Sequence, residues 1–389
     1  MISRDIEIKG YTDPKFRPIK ETFIENFKEF NEVGASFAVF LKGKFVVDIW
    51  AGFANEEKTK PWEKDSITKV YSTNKIINSI CALILVDRGL LDLDAPVADY
   101  WSEFAQAGKE KLPVRYLFSH SAGLAGFDEK ITVEDLKDWD KIVDILARQE
   151  PWWEPGTKAG YHGTTMYYLL GELVRRITGK SISRFLKEEI CDPFNIDYHI
   201  KLPEEHRSRF AQLIPSQLPL GKIAWDERID RNSYFFRVWS NPDLQNVHDN
   251  DPVWFDIETR GFGNARSVAK IGSIIANGGY LDNTQILSAA TIAKSLEEQI
   301  FDRDLILGNR VRYGLGWGLR NEFHHLPSPN TAYWGGNGGS SLIMDLDNKI
   351  SIAYVMNKMR RQQIEETRNN RYTSDSRGNR LAKKIYELL

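Results

Sequence analysis

Apolar and polar positions change their rhythm three times along the chain. From Ala35 to Phe53 the residues ASFAVFLKGKFVVDIWAGF form two β-rich runs about Lys42-Gly43-Lys44, the pattern of a hairpin. From Ser72 to Leu90 apolar residues (Ile76, Ile77, Ile80, Leu83, Ile84, Val86) fall on nearly every side of a helical wheel. That predicts a helix buried on all faces and running through the middle of the protein. Between Asp92 and about Pro252, helical segments (Gly171 to Thr178, Ile182 to Glu189) alternate with irregular stretches rich in Trp, Tyr and Pro. After Gly261 the pattern predicts a helix over Ser267 to Asn277, then strands at Thr331 to Trp334, Ser341 to Asp345 and Ile350 to Met356. Strands at both ends with helices between predict an α/β (α+β) fold whose sheet is assembled from both termini.

Composition narrows the function classes. The 389 residues, 42% of them hydrophobic, suffice for one large core or two coupled ones. The 52 basic and 54 acidic residues nearly cancel to −2, which gives no overall field for nucleic acid or an anionic membrane. The basic stretch from Lys358 to Lys384, with Arg360, Arg361, Arg368, Arg371, Arg377 and Arg380, has too few aromatics to stack bases. It reads as a solvated loop leading into a terminal helix, Leu381 to Leu389. Two cysteines, Cys81 and Cys191, do not make a disulfide scaffold. The opening MISRDIEIKG has no apolar export core, and the run from Ile76 to Val86 is too short to span a bilayer. The expected setting is reducing and cytoplasmic, with neither nucleic acid nor membrane as partner.

A serine three residues before a lysine on a helix puts hydroxyl and amine on one face, where the amine can take the hydroxyl proton. The spacing occurs as Ser66-Ile67-Thr68-Lys69, Ser72-Thr73-Asn74-Lys75 and Ser267-Val268-Ala269-Lys270. Only Ser72 stands at the start of the long buried helix, where free N–H groups and the positive dipole end favour an oxyanion. Ser66 reads as a cap or turn residue and Ser267 as an N-terminal helix cap. His120 reads as a structural hydrogen-bonding residue, since no Gly-x-Ser-x-Gly elbow is present. His324 and His325 lack partners at metal-ligand spacing, so no metal is expected. Gly261-Phe262-Gly263-Asn264-Ala265-Arg266 lacks the last glycine of a dinucleotide loop; it reads as a turn, and no cofactor is expected.

Taken in order, Ser72-Thr73-Asn74-Lys75, Arg88-Gly89-Leu90-Leu91-Asp92-Leu93-Asp94, Leu117-Phe118-Ser119-His120-Ser121-Ala122-Gly123-Leu124, Glu154-Pro155-Gly156-Thr157 before Tyr161, and Leu170-Gly171-Glu172-Leu173 resemble the serine β-lactamase and penicillin-binding-protein superfamily. Within it the chain resembles the class C-like (family VIII) carboxylesterases, over most of its length. The resemblance implies an antiparallel sheet domain from residues 1–91 and 256–389, an inserted mostly helical domain at 92–255, and an active site in the cleft between them. It implies an acyl-enzyme on Ser72, with Lys75 and Tyr161 as proton-transfer partners. Trp334-Gly335-Gly336 then stands for the third family motif, whose small residues let substrate lie along the strand. The N–H groups of Ser72 and Asn337 pair as an oxyanion hole, and His162, beside Tyr161, is a candidate substrate contact together with Trp334, Gly335 and Gly336.

Two departures bear on the substrate. Tyr161-His162-Gly163 lacks the asparagine of the usual Tyr-x-Asn, and the third motif lacks its lysine or histidine. Both changes favour a small-molecule ester of short or medium acyl chain over a β-lactam, which is left as a weak side activity. The alternatives are a D-amino acid amidase or peptidase, an acyltransferase, or a non-catalytic binding protein of the same fold. For Ser72 to attack, Lys75 must be neutral, so its ordinary pKa of about 10.4 must fall by roughly 3 units on burial.

Overall fold

Successive side chains of a strand point to opposite faces, and that alternation builds two cores here. In the strand Gly34–Leu41, Ala38 and Phe40 enter the larger core while Phe37 and Val39 enter the smaller one. A strand apolar on both faces belongs inside a sheet. It pairs antiparallel with Lys44–Gly52 on one side and Ile350–Met356 on the other. The hairpin turn has both central residues at positive φ, Lys42 at 49° and Gly43 at 86°, the geometry whose twist matches two paired strands.

The computed structural model describes residues 6–216, 220–360 and 375–389. Its main sheet has nine strands in the order Lys9–Thr12, Lys44–Gly52, Gly34–Leu41, Ile350–Met356, Ser341–Asp345, Thr331–Gly335, Gly318–Leu319, Arg310–Tyr313 and Ile300–Arg303. Every neighbouring pair is antiparallel. The apolar patterns indicated the five inner strands; the four remaining ones are short, two to four residues each. Helix Ala265–Ala276 packs on one face of the sheet, and helices Ile19–Glu29 and Ser376–Leu388 pack on the other.

Helix Asn74–Asp87 follows a single 3-10 turn, Tyr71–Thr73, and is buried at every residue from Asn74 to Leu85. It stops short of Leu90 because Gly89 turns to φ 68°. Helix Thr165–Thr178 packs against it and begins before the periodic stretch at Gly171. Between Asp92 and Pro252 the described residues hold helices and isolated bridges, Ile67 with Phe210 and His199 with Phe262 among those that tie this region to the rest. Among the described residues no helix is long and apolar enough to cross a membrane.

Arg377 corrects one sequence expectation. Read as part of a solvated basic loop, it is instead wholly buried at the start of the C-terminal helix, and the rest of that stretch from residue 361 to 374 lies outside the described residues. Its guanidinium donates to Glu32 at 2.8 Å, to Asp375 at 2.9 Å and to the carbonyls of Lys358 and Gly338 at 2.8 and 2.9 Å. Tyr354 donates to the same Glu32 carboxylate. Removing one member of a buried, fully bonded ion cluster strands the remaining charges and typically costs about 3–5 kcal/mol. Arg377→Ala is therefore expected to lower unfolding stability by roughly that amount in urea titration; a loss under about 1 kcal/mol contradicts the cluster's structural role.

Candidate active site

Ser72 is placed by a two-stranded ribbon and one strained residue. Thr68 and Lys69 pair antiparallel with Gly263 and Phe262, and the Val70 N–H donates to the Gly261 carbonyl at 2.9 Å. Tyr71 then takes φ 50°, a left-handed conformation that costs a non-glycine residue about 1–3 kcal/mol. That turn delivers Ser72, half-buried, at the entrance to the central helix.

The glycine-rich loop after strand Thr331–Gly335 closes on the same segment. Ser340 Oγ donates to the Val70 carbonyl at 2.7 Å and meets Thr73 Oγ1 at 3.0 Å. A Cβ on Gly336 would lie 2.2 Å from the Val70 carbonyl, so only glycine permits the approach. Ser72 and Asn337 both line one cavity, of about 100 Å³. Gly335 pairs with Ser341 at the strand end, and the Trp334 ring lies 5.5 Å from that of Tyr161.

The Tyr161 hydroxyl donates to Ser72 Oγ at 2.5 Å. Its backbone N–H is held by Asp304, a wholly buried carboxylate that also accepts from the N–H groups of Ile306 and Leu307 and the hydroxyl of Tyr313. Burial pushes the Tyr161 phenol up to about 12, against the smaller lowering effect of its bond to Ser72, so it stays protonated at neutral pH. Lys75 lies one helical turn beyond Ser72, fully buried, with Nζ donating to the Gly163 carbonyl at 2.5 Å. The Nζ stands 3.9 Å from the ring centroid of Tyr167 and 4.9 Å from that of Tyr161. Desolvation drives its pKa well below the ordinary lysine value, and the Arg260 cation adds to that.

The other serine–lysine pairs are committed elsewhere. Ser66 Oγ accepts from the Glu63 N–H in a turn, and Lys69, on a strand rather than a helix, sends Nζ to the Asp249 carbonyl. Ser267 sits third in its helix and forms a capping box with Asn264, which is the N-cap in its place; Lys270 bonds to the Phe194 carbonyl and Asp282.

His162 is not among the residues that line the cavity, and neither are Trp334, Gly335 and Gly336. His162 is wholly buried; Nδ1 meets the Gly160 carbonyl at 2.6 Å and Nε2 accepts from the Leu124 N–H at 3.1 Å. Both ring nitrogens are thus spent on fixing the backbone around Tyr161. Desolvation lowers its pKa to about 3, which keeps it neutral. His120 has the structural role its context suggested, accepting from the His162 N–H at 3.1 Å.

Tyr167 and Arg260 were not foreseen, whereas Trp239 is one of the aromatics of the 92–255 region expected to wall the pocket. Tyr167 forms the other wall of the Lys75 site and donates to the Tyr71 carbonyl at 3.3 Å. Arg260 lines the cavity from the residue before Gly261. Trp239 lies beside Gly163, where a Cβ would come within 2.9 Å of the indole. Spacing from Tyr161 along the Thr165–Thr178 helix could have flagged Tyr167, but nothing local marks Arg260. Among the described residues no group of three or more His, Cys, Asp or Glu side chains is placed to hold a metal ion.

The Beta-lactamase family model matches residues 23–374. The chain belongs to that family, and it is a serine hydrolase with a mixed α/β, β-lactamase-like fold. It is 30% identical over 365 residues to the Esterase/beta-lactamase LipL of Mycobacterium tuberculosis, covering 90% of this chain and 83% of that protein. A solved family VIII carboxylesterase superposes with TM-score 0.88 at 35% identity, over 98% of this chain and 100% of that one. A penicillin-binding protein homologue from Caulobacter crescentus superposes with TM-score 0.85 at 32% identity, again over 98% and 100% of the two chains.

Two variants test this geometry. Asp304→Ala leaves the Tyr161, Ile306 and Leu307 N–H groups and the Tyr313 hydroxyl without their acceptor, so a stability loss of roughly 3 kcal/mol is expected by urea titration. Lys75 offers a pH readout. Between its depressed folded pKa and the unfolded value of about 10.4, the unfolded chain binds the extra proton, so the group makes stability rise with pH across that window. In Lys75→Met the slope of stability against pH is expected to fall by up to ~1.4 kcal/mol per pH unit there; identical slopes in the two proteins contradict a neutral amine.

Proposed function

We propose that this protein cleaves carboxylic esters of short acyl chain through an acyl-enzyme on Ser72. The observation that carries the reading is the 2.5 Å bond between Tyr161 and Ser72 beside a fully buried Lys75 whose amine is favoured in its neutral form. A serine hydroxyl must lose its proton as it attacks, and a neutral amine one turn away is the base available. The phenol of Tyr161, held protonated, serves as a relay once its hydrogen turns from Ser72 toward Lys75: its oxygen then takes the Ser72 proton as its own passes to the amine. Ser72 and Asn337 line one cavity, and in this reading their N–H groups stabilise the developing oxyanion, where a donor is worth about 3 kcal/mol. Deacylation reverses the sequence, with water activated through Tyr161 and Lys75.

Ester rather than amide cleavage is favoured by the tyrosine motif. Gly163 supplies no amide side chain where the motif usually has one, and the Trp239 ring lies against that position. The cavity walls are largely apolar, with Leu136, Val238, Pro242, Leu244, Val247 and Trp254 among them, and the volume of about 100 Å³ suits a short acyl group. Its relatives point the same way: LipL is named an esterase/beta-lactamase, and the family VIII structure is a carboxylesterase.

p-Nitrophenyl butyrate is expected to give a burst of nitrophenol, and Ser72→Ala to abolish it with a loss of roughly 10³-fold or more in kcat. A fluorophosphonate is expected to leave its adduct on Ser72 by peptide mass spectrometry; labelling at Ser66 or Ser267 instead contradicts the assignment.

A further inference from the structure

We propose that Arg260 makes the cavity selective for esters carrying a second, negatively charged group, whose carboxylate its guanidinium binds. The inference rests on the ester-cleaving reading above and adds a substrate class to it.

Arg260 lines the same cavity as Ser72 but has no acidic partner among the described residues. Its Nε is buried without a hydrogen-bond acceptor, and the guanidinium lies 4.3 Å from the ring centroid of Trp254. Several other arginines of this region are ion-paired, Arg209 with Asp197, Arg237 with Asp128 and Arg266 with Asp48, and Arg231 gives its guanidinium to the Ala224 and Trp225 carbonyls. Leaving a guanidinium unpaired in a partly buried wall costs stability, and a planar fork of donors stacked on an indole is preorganised for a carboxylate.

The rest of the wall leaves this charge available. Asp249 also lines the cavity, but its carboxylate accepts from the Tyr71 hydroxyl and its carbonyl from Lys69. The third-motif strand offers no cation, since it reads Trp334-Gly335-Gly336. Among the described residues that line the cavity, Arg260 is the one lysine or arginine.

The position is rigid as well as charged. Gly261, next in the chain, takes φ 66°, and a Cβ there would come within 2.7 Å of Asn74. Its carbonyl accepts from the Val70 N–H, and Phe262 pairs with Lys69. Arg260 is thus fixed to the segment that carries Ser72, so the distance from nucleophile to guanidinium sets where on the substrate the charge must lie.

The anionic group can sit on the acyl or the alcohol side, and paired substrates separate the two. The acyl pair is mono-p-nitrophenyl glutarate and its neutral methyl ester; the alcohol pair is 3-carboxy-4-nitrophenyl butyrate and p-nitrophenyl butyrate. For each pair the ratio of kcat/KM, anionic over neutral, is compared between the unaltered enzyme, Arg260→Gln and Arg260→Lys, with active sites counted by fluorophosphonate titration. In at least one pair the ratio is expected to fall roughly tenfold to a hundredfold in Arg260→Gln and to recover in part in Arg260→Lys. Equal ratios in all three proteins, with neutral esters still cleaved, overturn the inference and leave the ester reading standing. Failure of the unaltered enzyme to cleave any of the four esters overturns both.

Discussion

An amine shut away from water between two phenol rings is the constraint on which the rest of the structure depends. Lys75 is wholly buried and gives its hydrogen bond to a neutral carbonyl rather than a carboxylate. An ammonium in that position has lost its hydration with little in return, so burial favours the uncharged form. The fold arranges this by running the Asn74–Asp87 helix through the core, which forces residue 75 into a dry site one turn after an accessible serine. Tyr167 and Tyr161 then supply ring faces where a counter-ion could have stood.

Around that amine the scaffold spends its polar groups on placement. His162 and His120 lock the backbone at Tyr161, Asp304 holds the same residue from behind, and Ser340 ties the glycine-rich loop to the turn at Val70. Arg377 reaches the loop from the far side by bonding Gly338. The sheet, the segments around Tyr161 and the C-terminal helix each contribute a fixed point, and Tyr71 carries the backbone strain that such over-determination can hold.

Much of this was legible in the sequence because periodicity reports burial. The all-round apolar pattern from Ile76 to Val86 located the central helix, and the apolar runs located the inner strands. Edge strands such as Lys9–Thr12 escaped because half their residues face solvent and show no alternation. The Ser-x-x-Lys spacing alone was ambiguous; Lys69 lies on a strand, where that spacing does not bring side chains to one helical face. Adjacency to Tyr161 along the chain says nothing of which way the His162 ring turns, and both its nitrogens meet backbone groups. Arg260, Asp304 and Trp239 are brought to the site only by the tertiary fold, and Arg377 looked like one more member of a charged run until its buried partners were placed.

The central claim is that the serine's neighbouring amine is uncharged at neutral pH. Neutron diffraction from deuterated crystals at that pH counts the hydrogens on Lys75 Nζ directly. Two deuterons on the nitrogen, with the Tyr161 phenol deuterated, are expected; three deuterons on Nζ contradict the account.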